Sequence, residues 1–257
     1  MSIMLAITCY RCAPQITRLL AKLEKSSCLD KFKHIAIIDN RSPDNTCLSA
    51  SNFLESSPLK LKTSIYLNNE NFGLGGSHKV AFGLANQLSI ENVLIIHGDD
   101  QASVDDIITM INFYERHSGC AAILGSRFSL KSKRIGYQKI RVFGNLFLNL
   151  IFTIITFRPT FDLGSGLNLF NLKELQAIQW INLSDQFSFN SELLLEMYKH
   201  HCRVHFLPIT WREEDQQSNA KNLSVALQMI NTLINWRFNI PKIKTKLTYD
   251  TDKIIVP

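Results

Sequence analysis

The sequence predicts a single α/β domain built around a largely parallel sheet, and three of its features lead to this prediction. Short apolar runs alternate with segments of helical periodicity through the first half of the chain. Such alternation is typical of parallel βαβ units, in which a helix carries the chain from one strand to the next. A length of 257 residues suffices for one large domain, and 19% charged residues with a mean hydropathy of zero suit a globular protein.

Strands and helices are predicted in strict alternation as far as residue 125. Apolar side chains three and four residues apart mark the helices; Pro14 suits the first turn of the first helix, and Ser103 suits the N-cap of the last. The predicted strands are Met4–Thr8, His34–Asp39, Ser64–Leu67, Val93–His97 and Cys120–Gly125. The predicted helices are Pro14–Lys25, Asp44–Leu54, Ser77–Leu88 and Val104–Arg116.

The second half of the chain is less regular. Its most distinctive segment, Ile140–Phe157, is a strongly apolar predicted helix with a polar side chain at every fourth residue. This narrow polar stripe consists of Arg141, Asn145, Asn149 and Thr153. Two further strands, Leu167–Phe170 and Val204–Pro208, and two further helices, Phe189–His201 and Leu223–Phe238, are predicted.

The distribution of charge indicates an anionic partner. The net charge is +6, and no Asp or Glu occurs between Glu115 and Asp162. A basic block of this kind favours phosphate, nucleic acid or an acidic membrane surface, although a solvated basic face is the alternative. The basic residues of the block are Arg116, Arg127, Lys131, Lys133, Arg134, Lys139, Arg141 and Arg158.

Several classes of protein are disfavoured. No apolar run reaches the roughly 18 residues that cross a bilayer, and the first residues resemble a strand more than a signal peptide. Cys9 and Cys12 have the spacing of a redox motif, but no second Cys or His pair lies at zinc-finger spacing. We interpret the six cysteines as reduced cytosolic thiols, with a redox site at Cys9 and Cys12 as the alternative. Nucleic-acid binding requires exposed aromatic side chains beside basic ones, whereas the aromatics here lie in apolar runs.

Four predicted strands of the first half end in polar clusters. Because parallel strands present their carboxyl ends at one edge of a sheet, these clusters are expected to converge on one ligand. The clusters are Thr8–Arg11, Asp39–Thr46, Asn68–Gly76 and His97–Gln101.

The residue types in these clusters suit a nucleotide diphosphate and a divalent metal. Asp39 can accept a hydrogen bond from a base, and the turn Gly73–Gly76 can present N–H groups to phosphate. The oxygens of Asp99 and Gln101 suit Mg²⁺ or Mn²⁺. Dinucleotide and P-loop patterns are incomplete. The alternatives are an ordinary polar turn after the fourth strand, and an N-cap role for Asp39.

Seven segments follow one another in the order and spacing of a known family. They are Ile38-Asp39-Asn40-x-Ser42-x-Asp44-x-Thr46, Asn71-Phe72-Gly73-Leu74-Gly75-Gly76, His97-Gly98-Asp99-Asp100-Gln101, Gly125-Ser126-Arg127, Asp162-x-x-Ser165-Gly166, Phe189-x-x-Glu192-Leu193 and Pro208-Ile209-x-Trp211-Arg212. Over roughly residues 3 to 230, the chain thereby resembles the inverting family 2 glycosyltransferases of the GT-A fold. Within them it is most similar to the polyprenyl-phosphate, dolichyl-phosphate mannose synthase-like branch.

The resemblance implies a fold and a domain organisation. The GT-A fold is Rossmann-like, with a mostly parallel central sheet flanked by helices, in a single domain with a C-terminal helical extension. The domain is expected at 1–238, with a nucleotide-binding half at about 1–126 and an acceptor-binding half at about 127–238. Residues 239–257 are expected to form a basic C-terminal tail.

The resemblance also implies roles for individual residues. Asp99 and Gln101 would be the metal ligands, and Asp162 and Arg127 the catalytic residues. The implied nucleotide-binding residues are Thr8, Tyr10, Asp39, Asn71, Gly73 and Asp99. The implied acceptor-binding residues are Arg141, Arg212, Ser218 and Lys221. Structural roles remain the alternatives for Arg127, as a surface ion-pair partner, and for Asp162.

The chain departs from the family pattern at two places. His97 stands where the family's metal motif begins with Asp, so one carboxylate is missing, and we expect a packed side chain there. The predicted acceptor loop from Arg212 to Lys221 reads Arg-Glu-Glu-Asp-Gln-Gln-Ser-Asn-Ala-Lys rather than Arg-x-x-Gly-x-Ser-Lys. Its register against the family is therefore open.

These features predict an enzyme that moves a sugar from a UDP- or GDP-linked donor to an acceptor with inversion. Polyprenyl phosphate is the favoured acceptor, because the basic block adjoins an apolar helix and such a surface suits an acidic membrane. A saccharide hydroxyl in surface glycan synthesis is the alternative, for which Asp162 would be the base. We expect a cytoplasmic protein with peripheral contact through 131–157 at the cytoplasmic face of the membrane.

Three competing interpretations remain at this level. The apolar helix at 140–157 is buried in the core if it does not meet a membrane. If His97 abolishes metal chemistry, the chain is a catalytically degenerate nucleotide-sugar-binding protein. The third interpretation is a nucleotidyltransferase on a similar scaffold. Self-association as a homo-oligomer is left open.

Overall fold

A computed structural model describes residues 1–117, 119–215, 222–240 and 248–254. The predicted Ser218 and Lys221 therefore lie outside the described residues. The strands are β1 Ile3–Cys9, β2 Phe32–Asp39, β3 Thr63–Asn68, β4 Asn92–His97, β5 Ala122–Ser126, β6 Lys133–Ile135, β7 Leu167–Asn171, β8 Val204–Pro208, β9 Thr210–Arg212 and β10 Thr251–Ile254. The helices are α1 Ala13–Glu24, α2 Thr46–Ser56, α3 Gly73–Gln87, α4 Asp105–Arg116, α5 Lys139–Thr156, α6 Phe189–Lys199 and α7 Asn222–Arg237.

Eight strands form one central sheet in the order β10-β3-β2-β1-β4-β7-β5-β8. The pairs β1–β2, β2–β3, β1–β4 and β5–β8 are parallel, whereas β7 runs antiparallel between β4 and β5. The predicted single α/β domain with a mostly parallel sheet and flanking helices is confirmed. Because β1 to β4 run in one direction, their polar carboxyl ends share one edge of the sheet.

The sheet is covered by apolar side chains on both faces. Along β1, Met4 and Ala6 belong to one core layer, and Ile3, Leu5 and Ile7 belong to the other. A strand buried on both faces reads as a continuous apolar run, which is why these strands were visible in the sequence.

Three short strands have no counterpart in the predicted elements. β6 and β9 form a separate parallel pair beside the sheet. β10 lies within residues 239–257, which the sequence separated from the domain, and it pairs antiparallel with β3 at the sheet edge. Each has three or four residues, too few to show an alternating pattern on their own.

Helix α5 packs on the protein through a mixed face that includes its polar stripe and the fully buried Phe152, and it directs six other apolar side chains to the exterior. Asn149 is buried and donates to the Phe161 carbonyl at 2.7 Å, and Thr153 accepts from the Thr160 N–H at 3.0 Å. The exposed apolar side chains of this helix are Ile140, Phe143, Leu146, Phe147, Leu150 and Ile154. The alternative that α5 is buried in the core is therefore wrong.

The expectation that no segment reaches spanning length also needs correction. Within the described residues, α5 alone has the length and composition of a span, with 18 residues and a mean hydropathy of 1.4. Its four-residue polar stripe interrupts the apolar run without lowering the average enough to exclude it. Because the stripe is bonded to the domain, the helix packs along the side of the protein.

Candidate active site

A cavity of about 810 Å³ opens at the carboxyl ends of β1 and β4. Its wall continues from these strand ends to the facing sides of α5 and α7. The predicted site residues that line it are Thr8, Tyr10, Asn71, Gly73, Asp99, Gln101, Arg127 and Arg141. The strand-end clusters of β1, β3 and β4 therefore converge on one space, as the sequence indicated.

Asp99 is the cavity carboxylate with the most unusual environment. Its Oδ1 accepts a hydrogen bond from the Gln101 N–H at 3.2 Å, and no Lys, Arg or His in the described part of the chain forms a salt bridge with it. Burial raises the pKa of the Asp99 carboxyl to about 7, and the Asp100 and Glu213 carboxylates act in the same direction. A bound cation would relieve this cost, so the side chain fits a metal ligand.

The neighbouring Asp100 faces the other way. Its backbone is left-handed, with φ of 59°, and its carboxylate meets Lys22 Nζ at 2.7 Å and Arg18 Nε at 3.2 Å on α1. Both of its oxygens are thus used outside the cavity. Asp99 and Gln101 therefore line the cavity together with His97, whereas Asp100 does not. The described residues contain no cluster of three or more His, Cys, Asp or Glu suited to a metal.

Arg127 and Asp162 form a buried, two-pronged ion pair. Arg127 Nε donates to Asp162 Oδ2 at 2.8 Å and Nη2 donates to Oδ1 at 2.7 Å, while the Arg127 N–H also donates to Oδ2 at 2.9 Å. A fourth bond comes from the Gly164 N–H at 3.1 Å. Burial disfavours the charge of Arg127, but the Asp162 carboxylate outweighs this and raises the pKa of the guanidinium.

This pairing separates the two predicted catalytic residues. Arg127 lines the cavity, with its guanidinium carbon 5.2 Å from the centre of the Trp211 ring. Asp162 lies behind it, and its two oxygens already accept four hydrogen bonds. In this arrangement Asp162 orients Arg127 and has no oxygen directed at the cavity to take a proton.

Asp39 is buried beside the cavity and does not line it. Its Oδ1 accepts from the Ser42 N–H at 2.9 Å, which closes the turn after β2, and burial raises the pKa of its carboxyl. Asn40, which the sequence analysis did not single out, lines the cavity instead. It bonds Asn71 at 2.8 Å and Asn68 at 2.9 Å, so it ties the ends of β2 and β3 together.

The glycine-rich turn has a different local role from the one expected. The N–H groups of Gly75 and Gly76 donate to the Asp185 carbonyl at 2.8 and 3.3 Å, so these two are not free for phosphate. A Cβ on Gly75 would lie 2.3 Å from the Ser184 carbonyl oxygen. The glycines are needed because α3 packs directly on the backbone before α6.

His97 packs against a second histidine at the cavity wall. Its ring lines the cavity and stands perpendicular to that of His78, with 6.1 Å between ring centres. Burial, together with His78 and Arg127, lowers the pKa of His97 to about 3, so the ring is neutral.

The end of the cavity formed by α5 and α7 contains residues that sequence reasoning missed. Trp211, Glu213 and Tyr137 line it, and Glu213 accepts a hydrogen bond from Arg141. Arg212, which was predicted to contact the acceptor, is absent from the lining. Side chains alternate along β9, so Trp211 faces the cavity and Arg212 faces away from it. In the sequence, Trp211 lies directly before Arg212, and this large aromatic residue could have been predicted to line the cavity.

The paired cysteines do not form a redox site of the usual kind. All six cysteines are free. A hydrogen bond with Cys12 and burial both raise the pKa of the Cys9 thiol well above its ordinary value. A reactive redox cysteine needs the opposite shift, so the interpretation as reduced thiols is favoured.

Comparisons with known proteins agree with the geometry. The family described as Glycosyl transferase family 2 matches residues 4–173. No curated protein matches the chain.

Solved structures share the fold at low sequence identity. Glucosyl-3-phosphoglycerate synthase from Mycobacterium tuberculosis, in complex with UDP, has a TM-score of 0.67 and 12% identity, over 96% of this chain and 89% of that one. The same enzyme with Mn²⁺, UDP and glucosyl-3-phosphoglycerate gives 0.66 and 12%, over 98% and 87%. A mannosyltransferase from Pyrobaculum calidifontis, with GDP-mannose and Mn²⁺, gives 0.62 and 15%, over 93% and 65%.

Proposed function

This chain belongs to glycosyl transferase family 2, and we propose that it transfers a sugar from a UDP- or GDP-linked donor to a lipid phosphate of the polyprenyl phosphate type. The observation that carries the proposal is the course of the cavity. It begins at the polar strand ends, beside Asp99 and Arg127, and continues between α5 and α7, where most of the side chains that line it are apolar. A substrate with a polar reacting end and an apolar chain matches both parts.

The strand ends are suited to the nucleotide. Thr8 and Tyr10 at the end of β1, with Asn71 and Gly73 at the start of α3, line the cavity and would hold the base and ribose. Asp39 would act on this side indirectly, because it closes the turn that contains Asn40. Two of the solved relatives bind UDP and GDP-mannose, which supports a nucleotide diphosphate sugar without selecting the base.

Asp99 and Gln101 would hold a divalent cation such as Mn²⁺ or Mg²⁺ together with the diphosphate. The fit rests on the Asp99 carboxylate, which is buried at the cavity wall without a basic partner among the described residues. When bound, the cation supplies charge stabilisation to the departing diphosphate. His97 leaves one carboxylate fewer than the family pattern, so the diphosphate itself would provide more of the ligands.

Arg127 would stabilise negative charge that develops on the phosphate groups during transfer. Its guanidinium is held by Asp162 and the aromatic ring of Trp211, so its position is fixed before the substrate binds. A phosphate oxyanion is already a nucleophile, so transfer to it requires no strong base. This agrees with an Asp162 whose oxygens are all engaged by hydrogen bonds.

The exposed apolar side of α5 would lie on a lipid surface. Ile140 and Phe147 are 75% and 56% exposed and also line the cavity, so the cavity opens on this face. The block of basic residues without any acidic one, from 116 to 161, borders the face and complements anionic headgroups. A lipid phosphate could then enter from the membrane, with the protein on its cytoplasmic face.

A second copy of the chain is the other possible occupant of this face. Ile140, Phe143, Phe147, Leu150 and Ile154 recur at intervals of three and four, as in a helix–helix seam. The flanking positions, however, carry no acidic side chains to pair with the basic ones. The membrane is therefore the occupant that the charges favour.

Two measurements test the proposal. Calorimetric titration with UDP- and GDP-sugars in the presence of Mn²⁺ should show metal-dependent binding that Asp99→Ala abolishes. Vesicles of anionic phospholipid should sediment the protein, and removal of the charges at Lys131, Lys133, Arg134 and Lys139 should release it. Absence of nucleotide-sugar binding would overturn the enzymatic part, and a protein that forms dimers without binding vesicles would overturn the lipid part.

A further inference from the structure

A buried lysine on α3 joins three distant parts of the chain. The Lys79 side chain is fully buried, and its ammonium group donates to the Leu183 carbonyl at 2.5 Å, to Asp185 Oδ1 at 2.6 Å and to the Tyr249 hydroxyl at 2.9 Å. The Tyr249 hydroxyl in turn donates to Asp185 Oδ1 at 2.5 Å. An ammonium group has three N–H donors, so this arrangement gives each of them an acceptor in a buried site.

Tyr249 belongs to a C-terminal segment, residues 248–254, that is attached to the domain at several points. The Tyr249 ring meets the Phe72 ring edge to face, with 5.3 Å between ring centres. The Asp250 carbonyl accepts from the Asn69 N–H at 3.1 Å, and strand β10 then pairs with β3. The segment therefore holds the tyrosine hydroxyl beside the start of α3.

Asp185 links this group of side chains to the wall of the cavity. Its backbone carbonyl accepts from the Gly75 and Gly76 N–H groups at 2.8 and 3.3 Å, and a Cβ on Gly73 would collide with the same oxygen. Gly73 lines the cavity, and so does Gln186, the residue that follows Asp185. The side chain of Asp185 is thus fixed by the buried lysine and the tyrosine hydroxyl, while its backbone supports the glycine turn.

The three linked side chains act from outside the cavity. Within the described part of the chain, Lys79, Asp185 and Tyr249 are absent from the residues that line it. Any effect that they have on a bound substrate therefore passes through the backbone of the glycine turn. A buried ammonium and carboxylate hold one another in a fixed geometry, because breaking their contact leaves a buried charge unpaired. The cavity wall is thus tied to an element that does not itself contact the substrate.

We propose that Lys79 and Tyr249 are positioning residues of the nucleotide site, a proposal that rests on the proposed function. The C-terminal segment 248–254 holds Asp185, and Asp185 holds the glycine turn in the conformation that the nucleotide requires. If the turn is loosened, only a fraction of the molecules has the binding conformation, and the measured Kd rises by the inverse of that fraction. The two residues thus set the affinity for the nucleotide without touching it.

Removal of one hydroxyl group tests this role. Tyr249→Phe keeps the aromatic ring and removes the hydrogen bonds with Lys79 and Asp185. Calorimetry with Mn²⁺ and the tighter-binding of UDP and GDP should give a Kd about fivefold above that of the wild type, the equivalent of one neutral hydrogen bond. Hydrogen exchange of the Gly75 and Gly76 amides, measured without nucleotide, should become faster, since these N–H groups donate to the Asp185 carbonyl.

A matched control is a second tyrosine whose hydroxyl is bonded far from the cavity. The Tyr114 hydroxyl on α4 accepts from Asn171 Nδ2 at 2.7 Å, and Asn171 pairs with Asn92, the first residue of β4. Tyr114→Phe should lower the free energy of unfolding in urea about as much as Tyr249→Phe does. The Kd of the nucleotide and the exchange of the two glycine amides should keep their wild-type values in this control.

The other outcomes overturn the positioning role. If Tyr249→Phe loses stability but keeps the wild-type Kd and the wild-type exchange of the glycine amides, the segment only stabilises the fold, and the proposed function stands. A higher Kd without faster exchange would contradict the route through the glycine turn. Equal increases of Kd for Tyr249→Phe and Tyr114→Phe would reduce the effect to general loss of stability. If the wild type binds neither UDP nor GDP, the proposed function fails and the positioning role with it.

Discussion

The strand ends of β1 to β4 and the helix α5 differ in where they place their apolar side chains. At the strand ends, apolar residues are inside the sheet and polar residues converge on the cavity. Along α5, the polar stripe and Phe152 face the protein, and six other apolar side chains are outside, with Phe143 71% exposed. A globular core alone explains the first region. The second requires something else to cover the apolar side.

The two regions meet in one cavity, because α5 contributes part of the wall that the strand ends also form. Arg141 belongs to the polar stripe of α5, yet it bonds Glu213 and lines the same space as Asp99. The inverted helix is thus part of the site wall. Under the proposed function, the polar end of the cavity would bind the nucleotide and the apolar end would bind the acceptor.

The largest expected effect comes from removal of the charge at the polar end. Asp99→Asn should lower metal-dependent sugar transfer about 10³-fold, because the diphosphate loses its charge stabilisation. Asp100→Asn is the matched control, since that carboxylate pairs with Arg18 and Lys22 on α1. Release of nucleoside diphosphate measures both. Equal losses for the two variants would contradict the assignment of Asp99.

The second largest effect tests whether Asp162 positions Arg127 or acts as a catalytic base. Asp162→Asn leaves Arg127 buried without its counter-ion, so the free energy of unfolding should fall by about 3 kcal/mol. Urea denaturation measures it. A variant with wild-type stability and no activity would instead make Asp162 the catalytic base for a hydroxyl acceptor.

The pH dependence of stability tests the burial of His78 on α3. Burial lowers the pKa of His78 to about 4, whereas the unfolded chain has a value near 6.5. Below pH 6.5 the unfolded state binds more protons, so the free energy of unfolding falls as pH drops from 6.5 to 4. Between pH 8 and pH 5, the free energy of unfolding of His78→Leu should therefore fall by about 2 kcal/mol less than that of the wild type. Identical pH profiles of wild type and variant in urea denaturation would contradict this.

The smallest expected effect concerns the apolar end. Phe143→Glu on α5 should weaken vesicle binding about tenfold, since it removes one buried aromatic ring from the lipid contact. Nucleotide binding should not change. Leu61→Glu is the control, because Leu61 is 92% exposed in a different part of the chain. If both substitutions weaken vesicle binding equally, the weakening comes from the added negative charge and not from a lipid contact of α5.

The sequence predicted the first region well because its signals are local. Each strand from β1 to β4 is a short apolar run that ends in polar residues, and parallel pairing brings those ends together. The resemblance favoured Asp99 and Gln101 over Asp100 as metal ligands, but it could not show that a left-handed backbone at 100 directs the second carboxylate toward Arg18 and Lys22 on α1.

The second region was less predictable for a physical reason. Periodicity showed that Arg141, Asn145, Asn149 and Thr153 share a face of α5, but not whether protein or solvent meets that face. The answer depends on distant groups such as Glu213 and the Phe161 carbonyl. The strand β10 was missed for the same reason, because its partner β3 lies far away along the chain.

The central claim is that one cavity joins a nucleotide end to a lipid end. The most direct test offers two phosphate acceptors together: polyprenyl phosphate in anionic vesicles and 3-phosphoglycerate in solution. With the tightest-binding nucleotide sugar, radiolabelled in the sugar, and Mn²⁺, the account predicts label in the organic phase after extraction, and none there with Asp99→Asn. Label that remains in the aqueous phase as a phosphoglycerate conjugate would contradict it.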